Sequence, residues 1–220
     1  MIKIDKLSKK YDKDYVLKDL SCTIKDNSIY GLVGANGAGK STLLRLINSI
    51  YTANEGKILI DNQNAYDNET LKQEMVFVPD DLYFYPGYTL MDMAEYHKSL
   101  YHNFDMNFVI NTANTLKLNP NVKISNFSKG MKRQCALICA LATNAKYLFF
   151  DETFDGLDPV VRNYFKKLLS EAMSKKDTTI IMTSHNLREL EDICDSFGIL
   201  DNGCMTTSGD LYDIKDHIHK

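Results

Sequence analysis

Residues 34 to 41 read Gly-Ala-Asn-Gly-Ala-Gly-Lys-Ser, and this string constrains the fold more than any other stretch of the chain. The spacing G-x-x-x-x-G-K-[ST] has meaning only where a strand enters it and a helix leaves it. Residues 29–33 form an apolar β-rich run, and the pattern downstream of the glycines predicts a helix beginning near Ser41. Glycines let the backbone of Asn36, Gly37, Ala38 and Gly39 curl until successive N–H groups face one centre, and the helix N-terminus adds its positive end. The ligand this favours is a nucleoside triphosphate with Mg2+. Lys40 would reach the β- and γ-phosphates and Ser41 would hold the metal, with Thr42 beside the α-phosphate.

A second acidic signal lies downstream. The apolar run 147–150 ends in Asp151 and Glu152, at the carboxyl end of a strand, where ligands sit in parallel α/β sheets. The first carboxylate is expected to serve magnesium through a water, and the second to polarise the attacking water.

Bulk properties exclude several classes. A formal net charge of -3 gives no basic surplus for a phosphate backbone, so nucleic acid is not an expected partner. The longest uninterrupted apolar stretch, 135–142, falls far short of the roughly 20 residues that span a bilayer, so any membrane contact is expected through another polypeptide. The alternating apolar and charged residues at 1–5 suit a strand and not a signal peptide. Cys22, Cys135, Cys139, Cys194 and Cys204 are an odd count without a C-x-x-C pair, which predicts reduced thiols. Of the histidines other than His185, His97 and His102 are expected at the surface, and His217 and His219 form at most an accidental metal pair.

The remaining pattern organises the chain without a linker or repeat. Strands are predicted at 2–7, 16–24, 57–60 and 75–78, the last stopped by Pro79. Residues 90–118 read as helical, leading to a connection at 119–126 and a further helix through Ala142. Strands at 147–150 and 179–182 flank an amphipathic helix at 159–173, an alternation that argues for a mostly parallel sheet covered by helices. Asp201-Asn202-Gly203 between 197–200 and 204–207 signals a hairpin.

Between the two phosphate-site motifs stands Asn126-Phe127-Ser128-Lys129-Gly130-Met131-Lys132-Arg133-Gln134, which resembles the signature sequence of ABC ATPases. The glycine-rich loop, Asp151-Glu152, Gly156-Leu157-Asp158-Pro159 and Thr183-Ser184-His185 occur in that family's order, so the resemblance covers essentially the whole chain. It implies an α/β fold of the P-loop NTPase, RecA-like class: a mostly parallel core sheet, an N-terminal antiparallel β subdomain and an inserted α-helical subdomain at about 85–142. Residues 1–220 would form one ATP-binding and ATP-hydrolysing domain.

The resemblance also implies a dimer that sandwiches two ATP molecules. Ser128 and the backbone of Gly130 would bind the γ-phosphate held by the second subunit, and Asp158 would lie on the loop crossing the interface. His185 resembles the switch histidine that contacts the γ-phosphate and helps hold Glu152 and water. Tyr11 resembles the aromatic residue that stacks on adenine, with Tyr15 as the competing position. Asp80 stands where the family commonly has glutamine; it can meet magnesium but adds negative charge beside the phosphates. Thr153 replaces a more usual proline, and Lys129 either faces the opposite phosphate or lies in solvent.

The implied role is ATP-driven movement of a substrate through a separate membrane-spanning subunit, with this chain cytoplasmic and peripheral at the inner face of the membrane. Tyr83, Phe84, Tyr85 and Tyr88 are candidate docking residues for that partner. Ser128-Lys129-Gly130-Met131 is similar to bacterial drug, peptide and antibiotic-resistance exporters, and the chain stops soon after its hairpin, so export is expected. Three other readings compete. A translation or DNA-repair ATPase of the family usually has two fused domains or a coiled-coil insertion. A small-molecule kinase leaves the signature and His185 unexplained, and Glu152 and His185 speak against a binding-only subunit.

Overall fold

The apolar β-runs assemble into two sheets in the computed structural model of the protein, which describes residues 1–210. The N-terminal sheet is antiparallel. Strands β1 (Ile2–Tyr11) and β2 (Asp14–Ile24) form a hairpin, and β4 (Glu55–Ile60) and β5 (Gln63–Asn64) extend it in the order β2-β1-β4-β5. Here β1 runs longer than its apolar residues alone suggest, because Asp12, with φ of 52°, turns the chain tightly back into β2.

The central sheet is mostly parallel and has the order β10-β9-β3-β8-β7-β6. Its strands are β3 (Ile29–Val33), β6 (Met75–Val78), β7 (Tyr147–Asp151), β8 (Thr179–Ser184), β9 (Ser196–Asp201) and β10 (Cys204–Asp210). All neighbours run parallel except β9 and β10, joined by the expected hairpin; Asn202 and Gly203 both take positive φ there, 45° and 77°.

Both faces of this sheet are covered, and the side-chain alternation shows how. Tyr147, Phe149 and Ile181 face a core shared with the N-terminal sheet and with Leu43, Leu44 and Ile47 of α1 (Lys40–Ile47). Leu148, Phe150, Ile180 and Met182 face the opposite way, into a core shared with the remaining long helices. Strands buried on both faces read as continuous apolar runs, as these do. Each fully buried Phe stabilises the fold by roughly 1.5–3 kcal/mol relative to an exposed one.

The second core is built by α3 (Leu90–Leu100), α4 (Met106–Thr115), α5 (Lys129–Ala142) and α6 (Pro159–Lys176). Two single-turn helices complete the set, α2 (Glu69–Lys72) and α7 (Leu187–Leu190). The predicted helical stretch 90–118 is two helices rather than one. Thr89 and Asp92 form a capping box that starts α3, the chain turns extended at Tyr101, and the Asp105 side chain caps α4 by accepting the Phe108 N–H. His97, expected at the surface, is half-buried; its Nδ1 lies 2.8 Å from the Met93 carbonyl and its ring stacks near Tyr101 and Phe104. All five cysteines are free, and burial pushes the Cys135 thiol up to about 12. His217 and His219 lie outside the described residues.

Candidate functional site

Adjacent strands β3, β8 and β7 end on the same side of the sheet and deliver three loops to one place: the glycine-rich turn, the loop bearing His185, and the loop that begins at Glu152. The turn is held by Ala38 N–H donating to the Ala35 carbonyl (3.1 Å). Gly39 caps α1 with φ of 107°, and a Cβ on it would lie 2.7 Å from Leu17 Cδ2 and 3.0 Å from the Val16 carbonyl oxygen. Only glycine satisfies both the left-handed backbone and the close neighbours.

A cavity of about 360 Å³ opens here, lined by Asn36, Gly37, Gly39, Lys40, Ser41 and Thr42 of the turn together with Val16, Asp80 and Glu152. Larger hollows lie beside Lys146 and beside Tyr15, but neither gathers a loop of backbone donors at a helix N-terminus. Lys40 is 4% exposed; its Nζ donates to the Gly34 and Ala35 carbonyls (2.7 and 3.2 Å) and stands 3.1 Å from Glu152 Oε1.

Asp151 is buried at the end of β7. Its Oδ1 accepts from Thr183 Oγ1 at 2.7 Å, while its Oδ2 has no hydrogen-bond partner. A buried carboxylate oxygen without a donor is costly unless a cation or a cation's water meets it. Asp151 therefore fits a magnesium site, with Ser41 as the hydroxyl ligand at the start of α1. Thr183, quoted in the motif with His185 but given no role of its own there, holds both acidic residues: the same hydroxyl accepts from the Glu152 N–H at 2.9 Å. Glu152 itself takes φ of 47°, an uncommon backbone for a non-glycine residue, so Thr183 also secures a strained turn. The Thr153 hydroxyl donates to backbone carbonyls of Val78 and Asp151, at 3.4 and 3.3 Å.

His185 Nδ1 lies 3.5 Å from Glu152 Oε2 and 3.3 Å from Asp155 Oδ2. Asp155 is a further functional candidate that the sequence reading did not single out. Burial, reinforced by a hydrogen bond with Glu189 and by the Glu189 and Glu152 charges, pushes its carboxyl up to about 7. Burial opposes ionisation of Glu189 as well, but hydrogen bonds from Asp155 and Ser184 and the Arg162 charge more than offset it and hold Glu189 below its usual range. Asp155 Oδ1 is buried and meets no donor. A proton shared with Glu189 satisfies both groups.

Several expected residues lie outside the cavity. Tyr11 is 44% exposed and packs edge-on against Tyr51 at 6.1 Å, while Tyr15 sits under Lys10; neither lines the cavity. Ser128 caps α5, accepting the Met131 N–H at 3.2 Å, and both it and Lys129 are exposed. Asp158 caps α6 through two backbone N–H groups and is exposed as well. A Cβ on Gly130 would lie 3.5 Å from the Gly156 carbonyl oxygen, so the start of α5 abuts the loop that leads to Asp158.

Asp80 lines the cavity, but its Oδ1 is engaged by Arg133 at 2.6 Å. On the surface beside it, Tyr85 contacts Tyr83, Tyr88 and Tyr96 at ring distances of 5.7, 5.1 and 5.5 Å. Tyr96 joins this cluster from α3, outside the stretch noted in the sequence.

The family model described as ABC transporter matches residues 17–155. The chain is 34% identical over 220 residues to the ABC transporter ATP-binding protein YtrB of Bacillus subtilis, covering 100% of this chain and 75% of that protein. It is 30% identical to the methionine import ATP-binding protein MetN of Clostridium acetobutylicum, covering 96% and 69%. A solved structure of an ATP-binding subunit of an ABC transporter superposes with a TM-score of 0.89 at 26% identity, covering 100% of this chain and 93% of that one. Sequence match and superposition agree with a phosphate loop faced by Glu152 at the end of β7, and the chain belongs to the ABC transporter family as one of its ATP-binding, ATP-hydrolysing subunits.

Proposed function

We propose that this chain hydrolyses ATP as one of two subunits that close on a pair of nucleotides, and so drives a separate membrane-spanning partner. One observation carries the reading. Lys40, Ser41 and Glu152 line one cavity, with the unpartnered Asp151 Oδ2 on the residue just before Glu152, whereas Ser128 and Asp158 are exposed outside it. Hydroxyl and helix N-terminus at Ser128 suit an anion, and a second subunit's γ-phosphate is the anion that would complete the site.

In this reading the turn 34–41 binds the phosphates through backbone N–H groups and Lys40. Ser41 and Asp151 would hold magnesium, which when bound would neutralise charge on the phosphates. Glu152 accepts the proton of the attacking water, and His185, beside Glu152 and Asp155, holds that carboxylate in place and contacts the γ-phosphate. Asp80 lines the same cavity but is paired with Arg133, so the metal role expected of it would require that pair to open. Tyr11 would stack on adenine only by leaving Tyr51.

No helix among the described residues is long and apolar enough to cross a membrane. The exposed aromatic cluster of Tyr83, Tyr85 and Tyr96 is the surface we assign to the membrane-spanning partner, which would keep the chain peripheral at the cytoplasmic face. Export is the direction favoured by the Ser128-Lys129-Gly130-Met131 signature. The methionine-import relative points the other way, and transport into or out of vesicles carrying the complex decides it.

The testing experiment is steady-state ATP hydrolysis by the native chain and by Glu152→Gln, each run through size-exclusion chromatography with and without magnesium-ATP. Turnover by the native chain, with an inactive variant that dimerises on ATP, supports the reading. Equal turnover by both removes Glu152 as the base.

A further inference from the structure

Arg133 is 4% exposed, yet it carries a fixed charge. It projects from the second turn of α5, the helix whose N-terminus bears Ser128 and Gly130. Its ion pair is with Asp80, Nη2 to Oδ1 at 2.6 Å, across 53 residues of sequence. Its other terminal nitrogen lies 3.6 Å from where a Cβ on Gly156 would stand, so the guanidinium also abuts the loop leading to Asp158. Asp80 lies just beyond β6 where the chain leaves the sheet for α3, and it lines the nucleotide cavity with Lys40, Ser41 and Glu152. One buried cation thus touches the loop leaving the sheet, the signature helix and the loop before α6.

The charges explain why the contact matters. The cavity must accept a polyanion, and it already holds Glu152 beside Lys40, with Asp151 the residue before it. A free third carboxylate at its wall would repel the phosphates and compete with Asp151 for a divalent cation. A buried guanidinium without a counter-charge would be equally costly. Pairing removes both liabilities and ties α5 to the segment that leaves β6.

Resting on the assignment of this cavity to magnesium-ATP, we propose that Arg133 is a positioning residue for hydrolysis: it holds the Asp80 carboxylate away from the magnesium and, through it, sets where Ser128 and Gly130 stand. Asp80 is then a latch between the sheet and the signature helix, and Asp151 is the carboxylate that serves the metal.

A double-mutant cycle tests this. Arg133→Gln, Asp80→Gln and the double variant are compared with the native chain for thermal unfolding without nucleotide, for binding of a fluorescent ATP analogue across a magnesium titration, and for ATP turnover. Arg133→Gln releases Asp80, so the magnesium concentration that half-saturates nucleotide binding shifts at least severalfold, and turnover falls about tenfold or more. The double variant, with neither charge, recovers most of both losses. A residue that merely packs would lower thermal stability without moving the magnesium midpoint.

The proposal is overturned if the midpoint is the same in all four proteins, or if the two single effects simply multiply in the double variant. Should Arg133→Gln not fold, Arg133→Lys and Asp80→Glu, which keep the charges and change the reach, are read by the same criteria. Glu152→Gln, run alongside, separates the two failures. If it still turns over, the hydrolytic assignment is wrong; if it is inactive while 80 and 133 are independent, only the latch is.

Discussion

Lys40 Nζ stands 3.1 Å from one oxygen of the Glu152 carboxylate, whose other oxygen faces His185 Nδ1 at 3.5 Å. The cation meant for phosphate is therefore already engaged by the carboxylate meant for water. Phosphate binding must draw Lys40 away from Glu152, which leaves that carboxylate held by His185 alone.

Glu152→Gln should consequently separate binding from chemistry. The amide keeps the shape but loses the charge on Lys40, so nucleotide binds severalfold tighter while hydrolysis falls by about a hundredfold or more. Equilibrium binding of a fluorescent nucleotide beside steady-state turnover reads both. Weaker binding would mean that Lys40 gains nothing from losing this partner.

Thr183→Val keeps the side-chain shape and removes a hydroxyl that serves Asp151 Oδ1 and the Glu152 N–H together. Leaving buried polar groups unpaired costs about 1–3 kcal/mol, which lowers the unfolding midpoint by several degrees in a chain of this size. Turnover should fall as well, because the Glu152 turn loses its anchor. An unchanged midpoint by calorimetry would show that other groups hold this turn.

Asp155 predicts a pH effect with a definite sign. Its carboxyl titrates near 7 in the folded chain against an ordinary value of 3.8, so between these limits the folded state binds more protons than the unfolded one. Stability from this group is present below pH 4 and falls as pH rises through 7. Asp155→Asn removes the penalty: thermal unfolding should show it more stable than the native chain at pH 8, with the difference vanishing towards pH 4. The opposite trend would place the charge, not the proton, in the folded site.

Two glycines of the phosphate loop distinguish backbone strain from crowding. Gly37 has φ of 82° with open space where a Cβ would go, whereas at Gly39 that Cβ would press on Leu17 and Val16. Gly37→Ala should cost about 1–2 kcal/mol of strain and remain folded, weakening nucleotide binding. Gly39→Ala should lower the unfolding midpoint further and abolish binding. Equal effects would mean that Leu17 yields freely.

The sequence carried those features in which a local string dictates a local shape. The glycine turn, the carboxylates after 147–150, His185 after its strand and the Asn202-Gly203 hairpin are each encoded by consecutive residues. Pairs made across space were not legible in it. Arg133 with Asp80 and Asp155 with Glu189 sit on separate elements, and Thr183 reads as an ordinary strand residue until its hydroxyl is seen between Asp151 and Glu152. The break between α3 and α4 was missed because the apolar period continues across it, while the caps at Thr89 and Asp105 set the boundaries.

The strand order of the central sheet also imposes a schedule on synthesis. β3 is flanked by β8 and β9, with Ile29 opposite Ile180 and Tyr30 opposite Ser196. By contrast, the antiparallel sheet uses only residues before 65 and is complete early. On the ribosome the phosphate loop is made more than a hundred residues before β8 and β9, the strands on either side of it. Such long-range closure is slow, so a partly made chain would display the whole phosphate-binding motif and hold no nucleotide.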